Sequence, residues 1–331
     1  MPTDQAQEFL FQRIKELISP DDSLVDVVSG ILHLSNDSTY RRIRGETPLV
    51  LDEARQLCQH FSLSLDQLLQ VKSGSVLFQN IRIQDTRYTY VQFLQGLLNQ
   101  LGSINNFLRK EIIYMSKDLP VFHNFYFQPL SAFRYYFWMK THLMHPDFAD
   151  KEFELSVLPA AVESLCTDVT KAYQQIPSVE MWNTESINST ISQIEFSKDS
   201  GHFSAASDIK LIYEALEQTV HHLKDQAEYG CKFMPGENPA TKKNNFKLFF
   251  NRVVLGDNTV LATTDFVKTC FINYGHLNYL RTMDENFCEQ IFRDFENLIR
   301  RSTQISESSE RQRNIFFGII LSKISDRKKN L

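Results

Sequence analysis

Cysteine pairs, glycine-rich loops, long apolar runs and an excess of basic charge are all missing from this sequence, and each absence excludes a class. Its five cysteines, Cys58, Cys166, Cys231, Cys270 and Cys288, are scattered and form no CxxC pair. That argues against a disulfide framework and against a thiolate zinc site. Eleven glycines and ten prolines in 331 residues favour helices over a turn-rich β architecture. The longest clean apolar run, 315–321, falls far short of the ~20 residues that span a bilayer. The opening MPTDQAQEFLFQRIKEL has no basic segment followed by an apolar one, so no secretion signal is expected. These features predict a cytoplasmic, reduced protein without a membrane partner. P-loop, GxGxxG and GxSxG signatures are absent, and neither an enzyme nor a cofactor is expected.

The charge is unevenly placed. Residues 1–70 hold six Lys+Arg and eleven Asp+Glu, a balance of −5, while the remainder hold 29 of each. A non-specific nucleic-acid binder would show the opposite balance. A specific reader needs only a contacting face of the right sign.

What is present is an ordinary apolar content of 42%, including 26 phenylalanines, in a chain long enough for two cores. Apolar residues at helical spacing predict helices over 5–18 (Phe9, Ile14 and Leu17 inward), 24–32, 36–44, 52–61 and 65–69. Lys72 to Gln84, with Ser73-Gly74-Ser75, reads as a linker. Beyond it, helices are expected over 88–101, 158–175, 184–197, 204–229, 284–301 and 308–324, ahead of a frayed basic tail. A short strand is expected over 111–115. FKLFFNRVVL, TVLATT and FVKTCFIN read as three antiparallel strands joined by tight turns.

The stretch LSNDSTYRRIRGE, residues 34–46, carries the chemistry. Ser35 is a candidate N-cap and Gly45 a candidate C-terminal stop. Leu34, Thr39, Tyr40 and Ile43 can face Val28, Ile31 and Leu32 of the preceding helix. That leaves Asn36, Asp37, Ser38, Arg41, Arg42 and Arg44 outward. Arginine suits guanine, asparagine adenine, and serine phosphate or either base, so a helix entering the major groove N-terminus first is the geometry to test. The competing reading is a solvated face with arginines paired to Glu46.

LHLSNDSTYRRIRGETPLVLDEARQLCQHFSLSLDQLL resembles the Cro/lambda-repressor-like (XRE-type) helix-turn-helix of bacterial transcription regulators. The resemblance rests on Leu34-Ser35, Tyr40-Arg41-Arg42-Ile43, Arg44-Gly45, Pro48-Leu49, Phe61 and the closing Leu63-Ser64-Leu65-Asp66-x-Leu68-Leu69, and it covers about residues 5–70. His33 departs from a frequent glycine, and Thr39 and Arg42 from positions that are often aliphatic. The predicted helices and strands, with this resemblance at the N-terminal end, make an α+β, predominantly α chain the expectation. A five-helix helix-turn-helix bundle occupies 1–71, with a linker over 72–85. A larger, mostly helical region with a small antiparallel sheet, 86–331, serves sensing or oligomerisation. The implied partners are double-stranded DNA, a second copy in a homodimer, and a small-molecule or protein effector. The alternative is a protein-interaction module that no longer reads DNA.

Three further features stand out. His142-x-x-His145 and His221-His222 lack the extra ligands a metal needs, and no metal site is expected. The aromatic run from Phe122 to Trp138 interleaves Phe, Tyr and Trp with His123, Asn124 and Gln128. It offers His123, Tyr135 and Trp138 as candidate ligand or interface residues, against a plain core as the simpler account. Arg300, Arg301, Arg311, Arg313 and the tail form a candidate second basic surface.

Overall fold

A computed structural model describes residues 3–18, 22–61, 63, 76–81, 89–253, 256–274, 278–329 and 331. The chain divides into two compact units, Met1–Ser75 and Val76–Leu331. Among the described residues no helix is long and apolar enough to cross a membrane.

The first unit contains α1 (Thr3–Leu17), α2 (Leu24–Leu32), α3 (Asn36–Ile43) and α4 (Leu51–His60). The expected fifth helix, 65–69, lies outside the described residues. Leu10, Phe11, Ile14, Val28, Leu32, Leu57 and Cys58 close the core. The inward face of α1 is therefore set by Leu10, Phe11 and Ile14. Phe9 and Leu17, expected inside, are 37% and 55% exposed. One turn of α1 offers several apolar residues, and only docking against α2 and α4 selects among them.

The second unit is mixed α and β. Its strands are β1 (Gln79–Ile81), β2 (Lys110–Ser116), β3 (Ser178–Trp182), β4 (Phe246–Phe250), β5 (Thr259–Thr264), β6 (Lys268–Asn273), β7 (Tyr279–Thr282) and β8 (Thr303–Gln304). They form one eight-stranded sheet in the order β1-β7-β6-β5-β2-β3-β4-β8. β2, β3 and β4 run parallel, and every other pairing is antiparallel. The small antiparallel sheet expected from sequence is thus a large mixed one. Its expected first strand, β4, does not join the β5–β6 hairpin but pairs with β3 across a helical crossover. β1 lies within the stretch read as linker and pairs with β7.

The helices are α5 (Tyr90–Asn105), α6 (Gln128–Phe137), α7 (Ala160–Gln174), α8 (Asn188–Asp199), α9 (Ala206–Tyr229), α10 (Glu285–Arg300) and α11 (Glu310–Lys328). α6 runs on into a wider turn, Trp138–His142. The tail expected to fray is helical through Lys328, whose Nζ lies 2.5 Å from Glu217 of α9. Strand alternation divides the core by face. Ile112, Tyr114 and Ala262 join the large core that α5, α6, α7, α9 and α11 build on one side. Ile113, Leu261 and Cys270 meet Cys288 and Phe295 of α10 on the other. All five cysteines are buried free thiols.

Polar groups sit deep in the larger core. Glu180, on β3, the middle of the three parallel strands, is fully buried. It accepts hydrogen bonds from Tyr173 Oη at 2.6 Å and Trp182 Nε1 at 2.8 Å, and His123 Nε2 lies 3.0 Å away. Desolvation works against its charge, but His123, Tyr173 and Lys232 outweigh that and hold the carboxyl below its usual range. Lys232 donates to the Ile176 carbonyl at 2.5 Å and Ser178 Oγ at 2.7 Å. Burial pulls its ammonium down to about 7, with Glu180 opposing.

His222 of α9 is buried beside this network, its Nε2 2.8 Å from the Phe233 carbonyl. Burial pushes its pKa down to about 4, against the pull of that carbonyl. The unfolded chain takes up this proton near pH 6.5 and the folded chain only near pH 4. Stability present above pH 6.5 is therefore lost as pH falls toward 4, by about 3 kcal/mol. Denaturant unfolding across this range should show that loss in the parent and a shallower one in His222→Gln. Equal pH slopes would contradict a neutral buried His222.

Candidate functional site

The first unit presents α3 on a turn built for it. Ser23 caps α2 and Ser35 caps α3, each Oγ accepting an amide hydrogen one turn on, from Asp26 and Ser38. Between the helices His33 adopts φ 54°, ψ 41°, a left-handed conformation that favours glycine. Gly45, at φ 75°, ends α3 as expected. Gln7 of α1 ties down the end of α3 and the loop that leads to α4. Its amide donates to the Arg42 and Thr47 carbonyls at 2.7 and 2.9 Å and accepts from the Leu49 amide at 2.8 Å. Nothing local in the sequence marks Gln7, because its partners lie 35 to 42 residues away.

The six residues expected to face outward separate into two groups. Arg41 and Arg44 project from the surface, their side chains 58% and 59% exposed, and Glu46 lies 3.7 Å from each. Pairs of that kind are worth little in water. Arg44 also lies over the Tyr40 ring, 4.4 Å from its centroid. Tyr40, expected on the inner face, is 46% exposed. Asn36 and Asp37 are exposed at the N-terminal end, with Asn36 donating to Asp26 at 3.2 Å. Ser38 is half-buried and bonds to Ser35 Oγ.

Arg42 is the exception. Its guanidinium forks onto Glu53 of α4, with Nε–Oε2 at 2.9 Å and Nη2–Oε1 at 2.8 Å, and also donates to the Ser38 carbonyl. Glu53 accepts the Val50 amide as well, at 3.1 Å, and so closes the first turn of α4. Arg42 therefore positions α3 against α4 and has no free fork for a base. Thr39 is fully buried, and its hydroxyl has no hydrogen-bond partner among the described residues. The three positions thus have physical content: a strained turn at His33, a buried hydroxyl at Thr39 with no partner among the described residues, and an interhelical ion pair at Arg42.

The second unit holds a cavity of about 620 Å³ between the sheet and α5, α6 and α8, within the size range of small-molecule sites. Ile112, Val260, Ala262 and Phe271 supply its floor, and Phe93 and Trp138 one wall. Those two rings pack at 4.6 Å. Of His123, Tyr135 and Trp138, the candidates read from sequence, only Trp138 lines the cavity. His123 is buried against Glu180. Tyr135 packs on Tyr90 and Phe148, at 5.3 and 5.7 Å between ring centroids. Arg134 does line it, and it is reachable from sequence only as one helical turn before Trp138.

Two of the other candidates make internal contacts. His145 Nδ1 accepts the Asp147 amide. Among the described residues no group of three or more metal-ligating side chains comes together. Arg313 is 4% exposed and donates to the Ile305 and Ser308 carbonyls, so it is not part of a basic surface.

These contacts have consequences for stability. His33→Gly and Thr39→Val should each raise the unfolding free energy, by roughly 0.5–1 kcal/mol apiece, because one relieves a left-handed side chain and the other removes a hydroxyl buried without a partner. Arg42→Ala should lower it by about 1–3 kcal/mol, since it strands the Glu53 carboxylate. Urea titration of the three variants measures all of this, and an Arg42→Ala protein as stable as the parent would refute the positioning role. Neither a family model, nor a curated protein, nor a solved structure matches this chain, and both sites are read from their own geometry.

Proposed function

We propose that the chain is a sequence-specific DNA-binding transcription regulator of the helix-turn-helix kind. α3, with Arg44 just beyond it, enters the major groove, and the second unit serves oligomerisation or sensing. One observation carries the reading: a short, doubly capped helix, held by Gln7 and the Arg42–Glu53 pair, presents Asn36, Asp37, Arg41 and Arg44 together on one exposed surface. Rigid support behind and exposed polar side chains in front is what base readout demands. A lone module of this size makes few contacts, so the active species is a homodimer reading two half-sites about one helical turn apart.

A protein-interaction module remains the second reading, favoured by Glu46, which lies 3.7 Å from both Arg41 and Arg44, and by the −5 balance of residues 1–70.

Gel-shift titration against DNA from upstream of the chain's own gene separates the two. Arg41→Ala and Arg44→Ala should each weaken binding about tenfold or more, at the ~1–3 kcal/mol typical of a specific contact, while the melting temperature stays put. Affinity should fall steeply with salt. Variants that bind DNA like the parent, or affinity indifferent to salt, would leave the interaction reading.

A further inference from the structure

We propose that the cavity of the second unit binds an amphipathic monoanion, an apolar body bearing one carboxylate, with the Arg134 guanidinium as the anion's partner. This deepens the sensing role proposed for that unit, yet its own support is the cavity and not the DNA reading.

Arg134 lacks a carboxylate of its own. A guanidinium carries five N–H donors in a planar fork that matches a carboxylate edge-on. Arg134 lines the cavity, and its side chain donates to the amide oxygen of Gln193 on α8. Among the described residues it forms no ion pair, whereas Arg42 in the first unit shows the alternative, a fork fully used on a carboxylate. Burial draws the Arg134 pKa down from its ordinary value, with Tyr90 and Asp118 opposing, as happens when a cation is desolvated without full compensation.

The surrounding charges disfavour a second negative charge on the ligand. Asp118 also lines the cavity. Its carboxylate accepts from Asn258 Nδ2 at 3.2 Å, and its field would repel a second negative charge on the ligand. Lys117 and Asp257, also in the lining, are exposed and pair with each other at 3.1 Å. They cancel, and so offer no net attraction for a dianion such as a phosphate ester. The rest of the lining sets the body. Ile112, Val260, Ala262 and Phe271 present an apolar floor from three adjacent strands, and Phe93 and Trp138 close one side with aromatic rings. About 620 Å³ accommodates a medium alkyl chain or a fused aromatic pair, with the carboxylate drawn to the α6 side.

The experiment uses the full chain without DNA, and four probes: decanoate, 2-naphthylacetate, decanol and decylamine. Binding is followed calorimetrically and by tryptophan emission. The chain has two tryptophans, of which Trp138 lines the cavity, while Trp182 is buried on the Glu180 carboxylate. At least one of the two acids should bind saturably below about 1 mM and perturb the emission, with decylamine weaker by about tenfold or more. Arg134→Gln should cost the acids about tenfold while decanol changes less than about twofold, and Arg134→Lys should restore part of the loss. If neither acid saturates, if decylamine binds as well, or if Arg134→Gln binds acids like the parent, the proposal is overturned. Should Arg134→Gln fail to fold, the parent's ranking of acid over amine decides. Because no DNA is present, failure of the DNA reading leaves this outcome unaffected, and failure here leaves the DNA reading unaffected.

Discussion

A carboxylate with no access to water sits at the centre of the larger unit, and much of that unit is arranged around it. Glu180 is on the middle strand of the parallel trio, with no exposed surface. Holding a charge there costs several kcal/mol unless donors surround it. The donors come from separate places: Tyr173 from α7, Trp182 from the same strand, His123 from the turn at Val121–Phe125. Lys232, just after α9, adds a cation that stacks 4.0 Å over the Tyr173 ring. None of these segments can shift without stranding the charge. The requirement therefore ties the two helical crossovers and the sheet to one another.

That constraint reaches the cavity. His123 pins the turn that feeds α6, and α6 begins five residues later at Gln128. From there Arg134 and Trp138, one turn apart, both reach the cavity, while Phe133 and Phe137 pack into the core. The polar cluster and the cavity thus divide the labour of one aromatic stretch. His123 serves the architecture, while Arg134 and Trp138, further along the same stretch, face the cavity.

The first unit solves a similar problem with smaller means. Its short helices bury few residues, so direction must come from polar tethers. Gln7 joins α1 to the loop after α3, and Arg42 joins α3 to α4 through Glu53. The same unit carries two features that run against stability, a left-handed histidine and a buried Thr39 hydroxyl with no partner among the described residues. A surface held rigidly while part of its stability is given up is consistent with selection for presentation of α3 rather than for stability alone.

Which features are legible in the sequence depends on the range of each interaction. Sequence alone determined the local features. Ser35 caps α3 because a short side-chain oxygen meets amides within one turn. Gly45 stops α3, and the β5–β6 hairpin pairs as the apolar alternation demands. Helix positions are set by 3.6-residue periodicity, which needs no partner to be read. Tertiary structure alone decided the rest. β3, SVEMW, is invisible in the sequence because a strand buried on both faces, with a glutamate at its middle, shows neither alternation nor an apolar run. The neighbour of β4 is equally hidden, because a parallel ladder is specified by a crossover and not by a turn. Arg41 and Arg42 are adjacent letters of one type, yet one faces water and the other spans two helices. Only the position of Glu53, eleven residues on and in another helix, tells them apart.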